Sequence, residues 1–275
     1  MSLQLDTSVF EKVNSWLSGS YDDATKAEIQ SLLDDNNVTA LTDAFYKDLE
    51  FGTGGLRGIM GVGSNRVNKY TLGMATQGFS NYLNQTYSGQ DIKVAIAHDC
   101  RNNSALFTKM TAEVFAANGI HVYLFEGMRP TPELSFAIRE LGCKAGVMLT
   151  ASHNPKEYNG YKAYGADGGQ LVSPHDKAVL AEVRKIASID DIKFDGSSDD
   201  ITIIGEAIDE RYLDELVKLS ISKEAIARQK DLKIVFSPIH GTGAVSVPPV
   251  LKRFGFENVT LVEEQMTYDG NFPTV

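Results

Sequence analysis

The stretch AGVMLTASHNPKEYNGYK, residues 145–162, contains the clearest fold signal in the chain. It begins with an apolar run at 145–150, which is typical of a buried β-strand. A polar segment follows at once, and a second run with aromatic residues begins at 161. Open α/β sheets place their functional sites just beyond the carboxyl ends of such strands. The stretch therefore predicts a sheet strand that leads into a loop with a chemical role.

Apolar runs on both sides of this stretch alternate with helical patterns. Further strands are predicted at 92–97, at 120–125 and, as a hairpin around Gly168-Gly169, at 161–164 and 170–172. Helices are predicted at 104–118 with Gly119 as the stop, from Thr131 as N-cap to Gly142, and from Ser173-Pro174 to about 189. This alternation predicts an α/β fold with a mixed sheet flanked by helices.

The first 50 residues have a different, helical pattern. Helices are expected from about residue 8, with Ser8 and Glu11 as a capping box, and at 24–33 and 41–49. Residues 51–58, FGTGGLRG, then contain four glycines, a density that predicts a loop with unusual backbone angles or a close approach to a ligand. A further helix is predicted at 70–83.

The chain repeats its α/β plan near its end. Residues 91–96, DIKVAI, resemble residues 231–236, DLKIVF, and each run is followed by a polar loop, a helix, a glycine and another apolar strand. One strand–helix–strand piece cannot cover both faces of a sheet, so we expect this second unit to be incomplete. The expected division is an N-terminal helical segment at 1–50, a first α/β domain at 51–204 and the start of a second domain at 205–275.

Composition and charge argue against several classes of protein. The chain has 26 Lys and Arg against 36 Asp and Glu, a net charge of −10, and no basic block of the kind typical of nucleic-acid binders. No apolar run approaches the ~20 residues that cross a bilayer, and the N-terminus lacks a secretory pattern. We therefore expect a cytoplasmic protein without nucleic-acid or membrane partners. Cys100 and Cys143 have no metal-ligand spacing and are expected to be core residues.

Ser152 is the candidate reactive residue of the quoted stretch. Its hydroxyl is flanked by His153 and Asn154, with Lys156 and Lys162 nearby, so the loop offers donors and positive charge for a phosphate. An ordinary polar turn is the alternative. A serine hydrolase requires a G-x-S-x-G turn, which the neighbours of Ser152 do not provide. A nucleotide-binding domain requires a glycine-rich loop after the first strand, and residues 97–104 contain no glycine.

TASHNP at 150–155 and YNGYK at 158–162 resemble the phosphoserine loop of the α-D-phosphohexomutases, the phosphoglucomutase/phosphomannomutase superfamily. Other segments are similar to further parts of that family: FGTGGLRG at 51–58 to its arginine loop, HDCR at 98–101 to a strand-end loop, and SPIHGTG at 237–243 with FPTV at 272–275 to the start of its second domain. GLRG, HDCR and PHDK at 174–177 are most similar to the long-chain branch, which includes phosphoglucomutases and phosphopentomutases. The resemblance covers about residues 45–275 and implies a fold like domain I of that family, followed by the start of domain II.

The resemblance implies an enzyme that interconverts the 1-phosphates and 6-phosphates of glucose or mannose. Ser152 would carry a phosphoryl group, donate it to the sugar phosphate and take the other phosphate back from a bisphosphosugar, which also serves as activator. Mg²⁺ would bind an oxygen of the phosphate on Ser152. Phosphopentomutase activity is the enzymatic alternative, and a non-catalytic sugar-phosphate-binding protein is the alternative from another class.

The resemblance also implies roles for the neighbours of Ser152. Lys162 is the candidate general acid/base, with a plain phosphate-binding ammonium as its alternative. Arg57 fits a role at the reacting phosphoryl group, with a structural ion pair as its alternative. His153 and Asn154 are expected to orient the loop or contact the phosphate, and His153 completes the set of candidate catalytic residues.

Three other polar residues are candidates for supporting roles. Asp99 and Arg101 are expected to form a supporting ion pair behind the loop, with a direct catalytic role as the alternative. His240, in the second unit, is expected either to lie near the cleft or to stabilise a turn.

The chain departs from the family pattern in its acidic residues. The family's metal loop has the form D-x-D-x-D-R, whereas the acidic runs here are adjacent pairs at 22–23, 34–35, 190–191 and 199–200. The remaining Mg²⁺ ligands and the sugar-recognition loops are therefore expected beyond residue 275, in C-terminal domains of the same protein. We predict that the 275-residue chain alone does not turn over.

Overall fold

A mixed sheet of six strands forms the centre of the first α/β unit. The computed structural model describes residues 5–52 and 54–275. The strands are β1 (Gly55–Ile59), β2 (Lys93–His98), β3 (His121–Phe125), β4 (Ala145–Leu149), β5 (Tyr158–Gly165) and β6 (Ile201–Ile204). Their order across the sheet is β1-β5-β4-β2-β3-β6. Strands β2, β3, β4 and β6 are parallel, whereas β5 is antiparallel to its neighbours β4 and β1.

The described residues form eleven α-helices, three of which precede the first strand, and several of which pack on the two faces of the sheet. They are α1 (Thr7–Ser18), α2 (Asp23–Asp34), α3 (Val38–Phe45), α4 (Lys69–Thr86), α5 (Ser104–Ala117), α6 (Thr131–Glu140), α7 (His175–Val183), α8 (Glu206–Lys218), α9 (Lys223–Arg228), α10 (Gly243–Phe254) and α11 (Glu263–Met266). Short 3₁₀ turns lie at Ile189–Asp191 and Ser198–Asp200. None of the described helices has the length and apolar character that crossing a bilayer requires.

Alternate side chains of the strands enter two separate cores, as the period of a β-strand dictates. In β2, Val94 and Ile96 are buried in the core that includes residues of α4, α5 and α7. Ala95 and Ala97 are buried on the opposite face, in the core that includes residues of α6 and α8. The predicted α/β fold with a mixed sheet flanked by helices is therefore confirmed.

The N-terminal helices join the larger of these cores. Trp16 of α1 stacks on Tyr21, with ring centroids 4.1 Å apart. The same ring meets Phe45 of α3 and Tyr70 of α4 edge-on, at 5.5 and 5.7 Å. Aromatic pairs at these distances stabilise a fold beyond their buried area. Helices α1 and α3 are thus packed onto the first unit.

The glycine-rich segment 51–58 is not the continuous loop that its composition predicts, because its second half belongs to β1. Gly55 of β1 lies opposite Lys162 of β5. A Cβ at Gly55 would lie 2.1 Å from the carbonyl oxygen of Tyr161, so glycine here permits a close approach of two strands. Gly54, with φ +69°, makes the turn before the strand. Position 53 lies outside the described residues.

Some predicted helix boundaries are also wrong. Helix α1 is capped by Asp6, whose carboxylate accepts a hydrogen bond of 3.0 Å from Ser8 N, and not by the predicted capping box. Helix α3 begins earlier than predicted because the side chain of Asn37 caps it. Thr131 is the first helical residue of α6 rather than its N-cap. Helix α7 ends at Val183, well before residue 189.

Two strand assignments also differ from the predictions. Strand β6 is not among the predicted strands, since its four residues directly follow a polar, acidic segment. It extends the sheet by pairing in parallel with β3. Residues 170–172 do not form a strand, although Gln170 makes one antiparallel bridge to Tyr164.

The second α/β unit repeats the order of elements of the first. Strands β7 (Ile234–Phe236) and β8 (Val259–Leu261) form a parallel pair that α10 connects. Gly255 follows α10 with φ +101°, just as Gly119 follows α5 with φ +71°. Both angles are left-handed conformations that favour glycine. The prediction of a second, similar unit is confirmed.

A buried charge cluster attaches α8 to the first unit. Arg129, which precedes α6, donates two hydrogen bonds of 2.7 Å to the carboxylate of Asp209 in α8. Glu133 of α6 is 1% exposed, and its Oε1 lies 3.9 Å from Arg129 Nε. Burial and the charge of Asp209 raise the pKa of Glu133 to about 8, against the opposing effect of Arg129. The raised pKa favours the protonated form of Glu133 at neutral pH.

Glu133→Gln is expected to remove a pH dependence of stability. Between about pH 4.5 and 8 the folded state keeps this proton, whereas the unfolded chain has released it. The wild-type free energy of unfolding should fall by about 2–4 kcal/mol as the pH rises across that range. The amide of Gln does not titrate, so the variant should lack the fall. Urea unfolding at several pH values measures the effect.

The control for this prediction is Glu28→Gln, which changes an exposed carboxylate on α2. That variant should keep the wild-type pH dependence. A Glu133→Gln protein with the same slope as wild type would contradict the presence of a buried proton.

Candidate active site

The candidate site is built on the connection between β4 and β5, residues 150–157, here called the serine loop. Because β4 and β5 are antiparallel neighbours, both ends of this loop are anchored in the sheet. Ser152 is exposed and has φ +58°, a left-handed conformation that residues other than glycine rarely adopt. Such a conformation persists only where the surroundings enforce it.

Asp99, just after β2, fixes the start of the serine loop. Its Oδ2 accepts a hydrogen bond of 2.5 Å from Thr150 Oγ1, which in turn accepts one of 2.9 Å from Ser152 N. Its Oδ1 accepts bonds from Arg101 N (3.0 Å) and Ser104 Oγ (3.2 Å). The expected ion pair with Arg101 is present, with 3.4 Å between Oδ2 and Nε.

The side chain of Arg101 holds the rest of the serine loop through hydrogen bonds to the backbone of that loop. Its Nη2 donates to the carbonyl oxygens of Ser152 (2.8 Å) and Asn154 (2.6 Å). Its Nη1 donates to those of Pro155 (2.8 Å) and Tyr158 (3.0 Å). The side chain is only 1% exposed. Hydrogen bonds from a charged group are stronger than neutral ones, so this guanidinium accounts for the enforced backbone of the loop.

The side chains beside Ser152 differ in their contacts. Nδ1 of His153 lies 3.3 Å from Ser152 Oγ, and the imidazole is exposed. Oδ1 of Asn154 is buried and has no hydrogen-bond partner among residues 5–52 and 54–275. Lys156 is exposed. Of these three, His153 alone has a described contact with the hydroxyl of Ser152.

Arg57 and Lys162 lie on the same face of the β1–β5 pair. Lys162 is opposite Gly55, and Arg57 is opposite Gly160. Alternate residues of a strand share a face, so the two cations are diagonal neighbours. Lys162 is also opposite Met148 of β4, whose side chain lines the cleft described below.

The pKa of Lys162 is lowered from its ordinary value. Burial is the largest cause, and the charge of Arg57 adds to it, whereas Asp99 acts in the opposite direction. A lysine that is partly buried beside another cation gives up its proton more readily than a lysine in water. This environment favours the neutral amine, the form in which a lysine can accept a proton.

Gly160 of β5 permits the close packing of Arg57 against the sheet. A Cβ at this position would lie 2.7 Å from Thr150 O, 2.8 Å from Leu56 O and 3.3 Å from the Cβ of Arg57. The strand between β1 and β4 therefore has no space for a side chain here. Both the serine loop and Arg57 depend on this position.

Gly160→Ala is expected to lower the free energy of unfolding by about 1–3 kcal/mol, since backbone atoms on two sides would have to move. Urea unfolding measures the loss. Gly127→Ala is the control, because the nearest atom to a Cβ there is Arg129 Nη1 at 3.7 Å. Equal losses in the two variants would contradict this explanation.

A cleft of about 800 Å³ lies between the serine loop and the second unit. Ser152, His153 and Lys156 line it on one side, and Ile239 and Phe272 on the other. Ser152 therefore opens towards the second α/β unit.

His240 stabilises a turn of the second unit and does not line this cleft. It is 1% exposed, and its ring nitrogens lie 2.8 Å from Thr267 O and 2.8 Å from Thr274 Oγ1. The turn is thus the one of its two expected roles that the contacts support.

Asn159 is a site residue to which the sequence analysis assigns no role. It is completely buried, its Nδ2 donates to Asn102 O (3.2 Å) and Ser104 Oγ (3.0 Å), and its Oδ1 accepts from Gly160 N (2.8 Å). It joins the segment after β2 to the end of the serine loop. The Asn-Gly pair at 159–160 in the quoted stretch was the sequence signal that could have indicated this role.

The two cysteines differ in burial. Cys143 is buried, as expected, and burial raises its pKa to about 12. Cys100 is only half-buried and lines the cleft, which corrects its assignment as a core residue. Burial and the charge of Asp99 raise its pKa to about 11, so its thiol is protonated at neutral pH.

The described residues do not form a metal site by themselves. Among residues 5–52 and 54–275, no group of three or more His, Cys, Asp or Glu side chains is arranged to hold a metal ion. Mg²⁺ prefers several oxygen ligands. These side chains alone therefore do not fit the ion.

The fold and the site define a class of α/β protein in which a serine at the carboxyl edge of a mixed sheet faces a second α/β unit across a cleft. Residues 48–190 match the family profile described as phosphoglucomutase/phosphomannomutase, alpha/beta/alpha domain I, and residues 210–275 match domain II of the same family. The chain belongs to the phosphoglucomutase/phosphomannomutase family.

Individual relatives agree with this assignment. A phosphoglucomutase of Staphylococcus haemolyticus (strain JCSC1435) is 37% identical over 251 residues, which cover 90% of this chain and 45% of that protein. A human phosphopentomutase is 33% identical over 281 residues, 98% of this chain and 46% of that protein. A solved structure from Thermus thermophilus, named as a candidate phosphomannomutase, has a TM-score of 0.70 at 28% identity over 83% of this chain and 48% of that one. The chain spans about half the length of these relatives.

Proposed function

We propose that Ser152 carries a phosphoryl group in a sugar-phosphate mutase, and that this chain supplies the phosphate-carrying part of that enzyme. The supporting observation is the serine loop. The backbone of Ser152 is held in a left-handed conformation, and its exposed side chain lines a cleft between the two α/β units. The match to the family and its relatives supports the same conclusion.

The transfer step moves one phosphoryl group between two oxygens. The bond from phosphorus to Ser152 Oγ breaks while a sugar hydroxyl forms a bond to the same phosphorus. The hydroxyl loses its proton to a base, for which we propose the neutral amine of Lys162, and Ser152 is left as the oxyanion or takes up a proton from its surroundings. The reverse transfer, from the other phosphate of the bisphosphosugar, restores the phosphorylated serine. Such reactions depend mainly on positioning and on stabilising charge at the phosphoryl oxygens.

The proposed base is supported by its lowered pKa. Burial and Arg57 destabilise the protonated form of Lys162, so a larger fraction is neutral at a given pH than in an ordinary lysine. As the pH rises through the lowered pKa, the neutral fraction and the rate of proton abstraction should both rise. Binding of a phosphate beside Lys162 would oppose this shift, which suits a group that must also return the proton.

Arg57 and His153 complete the proposed set. We propose that Arg57, which is exposed and a diagonal neighbour of Lys162, binds phosphoryl oxygens with its guanidinium, a group that can donate two parallel hydrogen bonds to such an acceptor. His153, 3.3 Å from Ser152 Oγ, is proposed to orient that hydroxyl.

The substrate is proposed to be a hexose phosphate, glucose or mannose. A pentose phosphate is the second candidate, because a phosphopentomutase is among the relatives that align with 98% of this chain. Loss of catalysis with retained sugar-phosphate binding is the alternative from outside the enzymes.

Mg²⁺ would supply charge neutralisation at the transferred phosphoryl group when bound. The phosphate on Ser152 would provide one oxygen ligand, whereas the described side chains do not form a site for the ion by themselves. Three other points remain predictions. They are the domain boundaries at residues 51 and 205, the further C-terminal domains and the cytoplasmic location.

The test is phosphorylation of Ser152 by a bisphosphosugar, measured in the natural protein that contains this chain. Glucose 1,6-bisphosphate is added, the modified residue is mapped by mass spectrometry, and conversion of glucose 1-phosphate, mannose 1-phosphate and ribose 1-phosphate is then followed. Phosphate on Ser152 together with turnover of one sugar supports the mutase and names its substrate. Sugar-phosphate binding without phosphorylation or turnover would favour the non-catalytic alternative.

A further inference from the structure

The segment 269–272 of the second unit lies directly against the segment that follows β2. Asn102 Nδ2 donates a hydrogen bond of 3.1 Å to Asn271 Oδ1. Gly270 is buried, and a Cβ there would lie 2.4 Å from Asn102 N and 2.9 Å from the carbonyl carbon of Arg101. The two backbones therefore approach as closely as a glycine allows.

Phe272 of this segment packs on the guanidinium of Arg101. Cζ of Arg101 lies 5.7 Å from the centroid of the Phe272 ring, within the range of a cation–π contact. The Nη1 and Nη2 atoms of the same guanidinium donate to four carbonyl oxygens of the serine loop and the start of β5. The edge of the guanidinium thus donates hydrogen bonds to the first unit, and its face contacts Phe272 of the second unit.

The position of Phe272 is itself enforced. Its φ of +51° is rare for an aromatic residue. Its N donates to Asp269 O (3.2 Å) and its carbonyl accepts from Val275 N (3.1 Å). Two residues further on, Thr274 is held by the buried His240 at 2.8 Å. The backbone of Phe272 is therefore held in place by the second unit, independently of Arg101.

We infer that Phe272 is a positioning residue for the serine loop. By covering the guanidinium of Arg101, it keeps water from the four carbonyl contacts and so keeps the hydroxyl of Ser152 oriented towards the cleft. The inference rests on the proposed function only where it concerns the rate of phosphoryl transfer. Its structural part is that the second unit determines how rigid a loop of the first unit is.

The experiment compares Phe272→Leu, which keeps apolar bulk but removes the ring, with Phe272→Tyr, which keeps the ring. Two readouts are measured in the natural protein: cleavage by trypsin after Lys156, an exposed lysine inside the serine loop, and the rate at which glucose 1,6-bisphosphate phosphorylates Ser152. The thermal unfolding midpoint is recorded alongside. Tyr268→Leu, which removes an aromatic ring that is 58% exposed four residues earlier, is the control.

The expected result for Phe272→Leu is cleavage after Lys156 about tenfold faster and phosphorylation about tenfold slower, the factor that loss of a desolvated cation–π contact gives. The unfolding midpoint should stay within about 2 °C of wild type, and Phe272→Tyr and Tyr268→Leu should behave as wild type. Wild-type rates in Phe272→Leu, or equal changes in Phe272→Leu and Phe272→Tyr, would overturn the inference. If the wild-type protein is not phosphorylated at all, the proposed function fails, and the cleavage rates alone still decide the role of Phe272.

Discussion

Ser152→Ala is expected to abolish mutase turnover, with a decrease on the order of 10⁴-fold or more, the usual result of removing the group that forms the covalent intermediate. The phosphoryl group would have no oxygen on which to rest between the two transfers. No other described hydroxyl has a comparable position, because Thr150 Oγ1 is occupied between Asp99 and the backbone of Ser152. Conversion of glucose 1-phosphate in the presence of a bisphosphosugar, in the natural protein, measures the effect.

The folded state should be unaffected by this change, since among residues 5–52 and 54–275 the hydroxyl of Ser152 contacts only His153, at 3.3 Å. Relief of a strained conformation is not expected either, because alanine meets the same backbone restriction at φ +58°. Ser18→Ala, which removes an exposed hydroxyl at the end of α1, serves as the control and should turn over like wild type. Substantial turnover by Ser152→Ala would exclude a phosphoserine mechanism.

Arg101→Ala is expected to lower the free energy of unfolding by about 3–5 kcal/mol, the range found when one partner of a buried ion pair is removed. The change leaves three carbonyls of the serine loop and that of Tyr158 without their donor, and Asp99 without its cation. We also expect turnover to fall by about 10²-fold, because a displacement of the nucleophile by about one ångström has that effect on a positioned reaction. Urea unfolding and mutase assays measure the two effects.

Arg101→Lys separates the two contributions of this side chain. An ammonium keeps the charge opposite Asp99 but lacks the planar fork that serves four acceptors at once. Stability should therefore recover in part, while turnover stays low. Arg139→Ala, at an exposed arginine on α6, is the control. If Arg101→Lys matched wild type in turnover, the fork would not be what positions the serine loop.

The sequence predicts the place of the serine loop correctly because the signal is local. An apolar run followed directly by a polar, hydroxyl-containing segment indicates the carboxyl end of a strand, and β4 ends there. The ion pair of Asp99 and Arg101 is predicted for the same reason, as both residues lie within a short segment after β2. Candidate roles for Ser152 and Lys162 follow from residue type and family resemblance, and they await experiment.

The contacts that define the site were not predictable in the same way. The main partners of Arg101 are carbonyl oxygens, which every residue has, so no sequence pattern indicates them. Strand β1 was not predicted from the sequence, because glycine suits a turn and a close approach of two strands equally well. The contact between Phe272 and Arg101 depends on the relative placement of two units, which local periodicity does not describe.

The way Arg101 holds its loop has a consequence for how this site can diverge. Its hydrogen bonds end on main-chain oxygens, so they place no requirement on the side chains at positions 156 and 157. Those side chains can be exchanged while the path of the chain stays the same, and the orientation of the Ser152 hydroxyl is then kept. A laboratory library varied at these positions alone should therefore sample new substrate contacts on a constant catalytic frame, with Arg101 and Asp99 as its invariant residues.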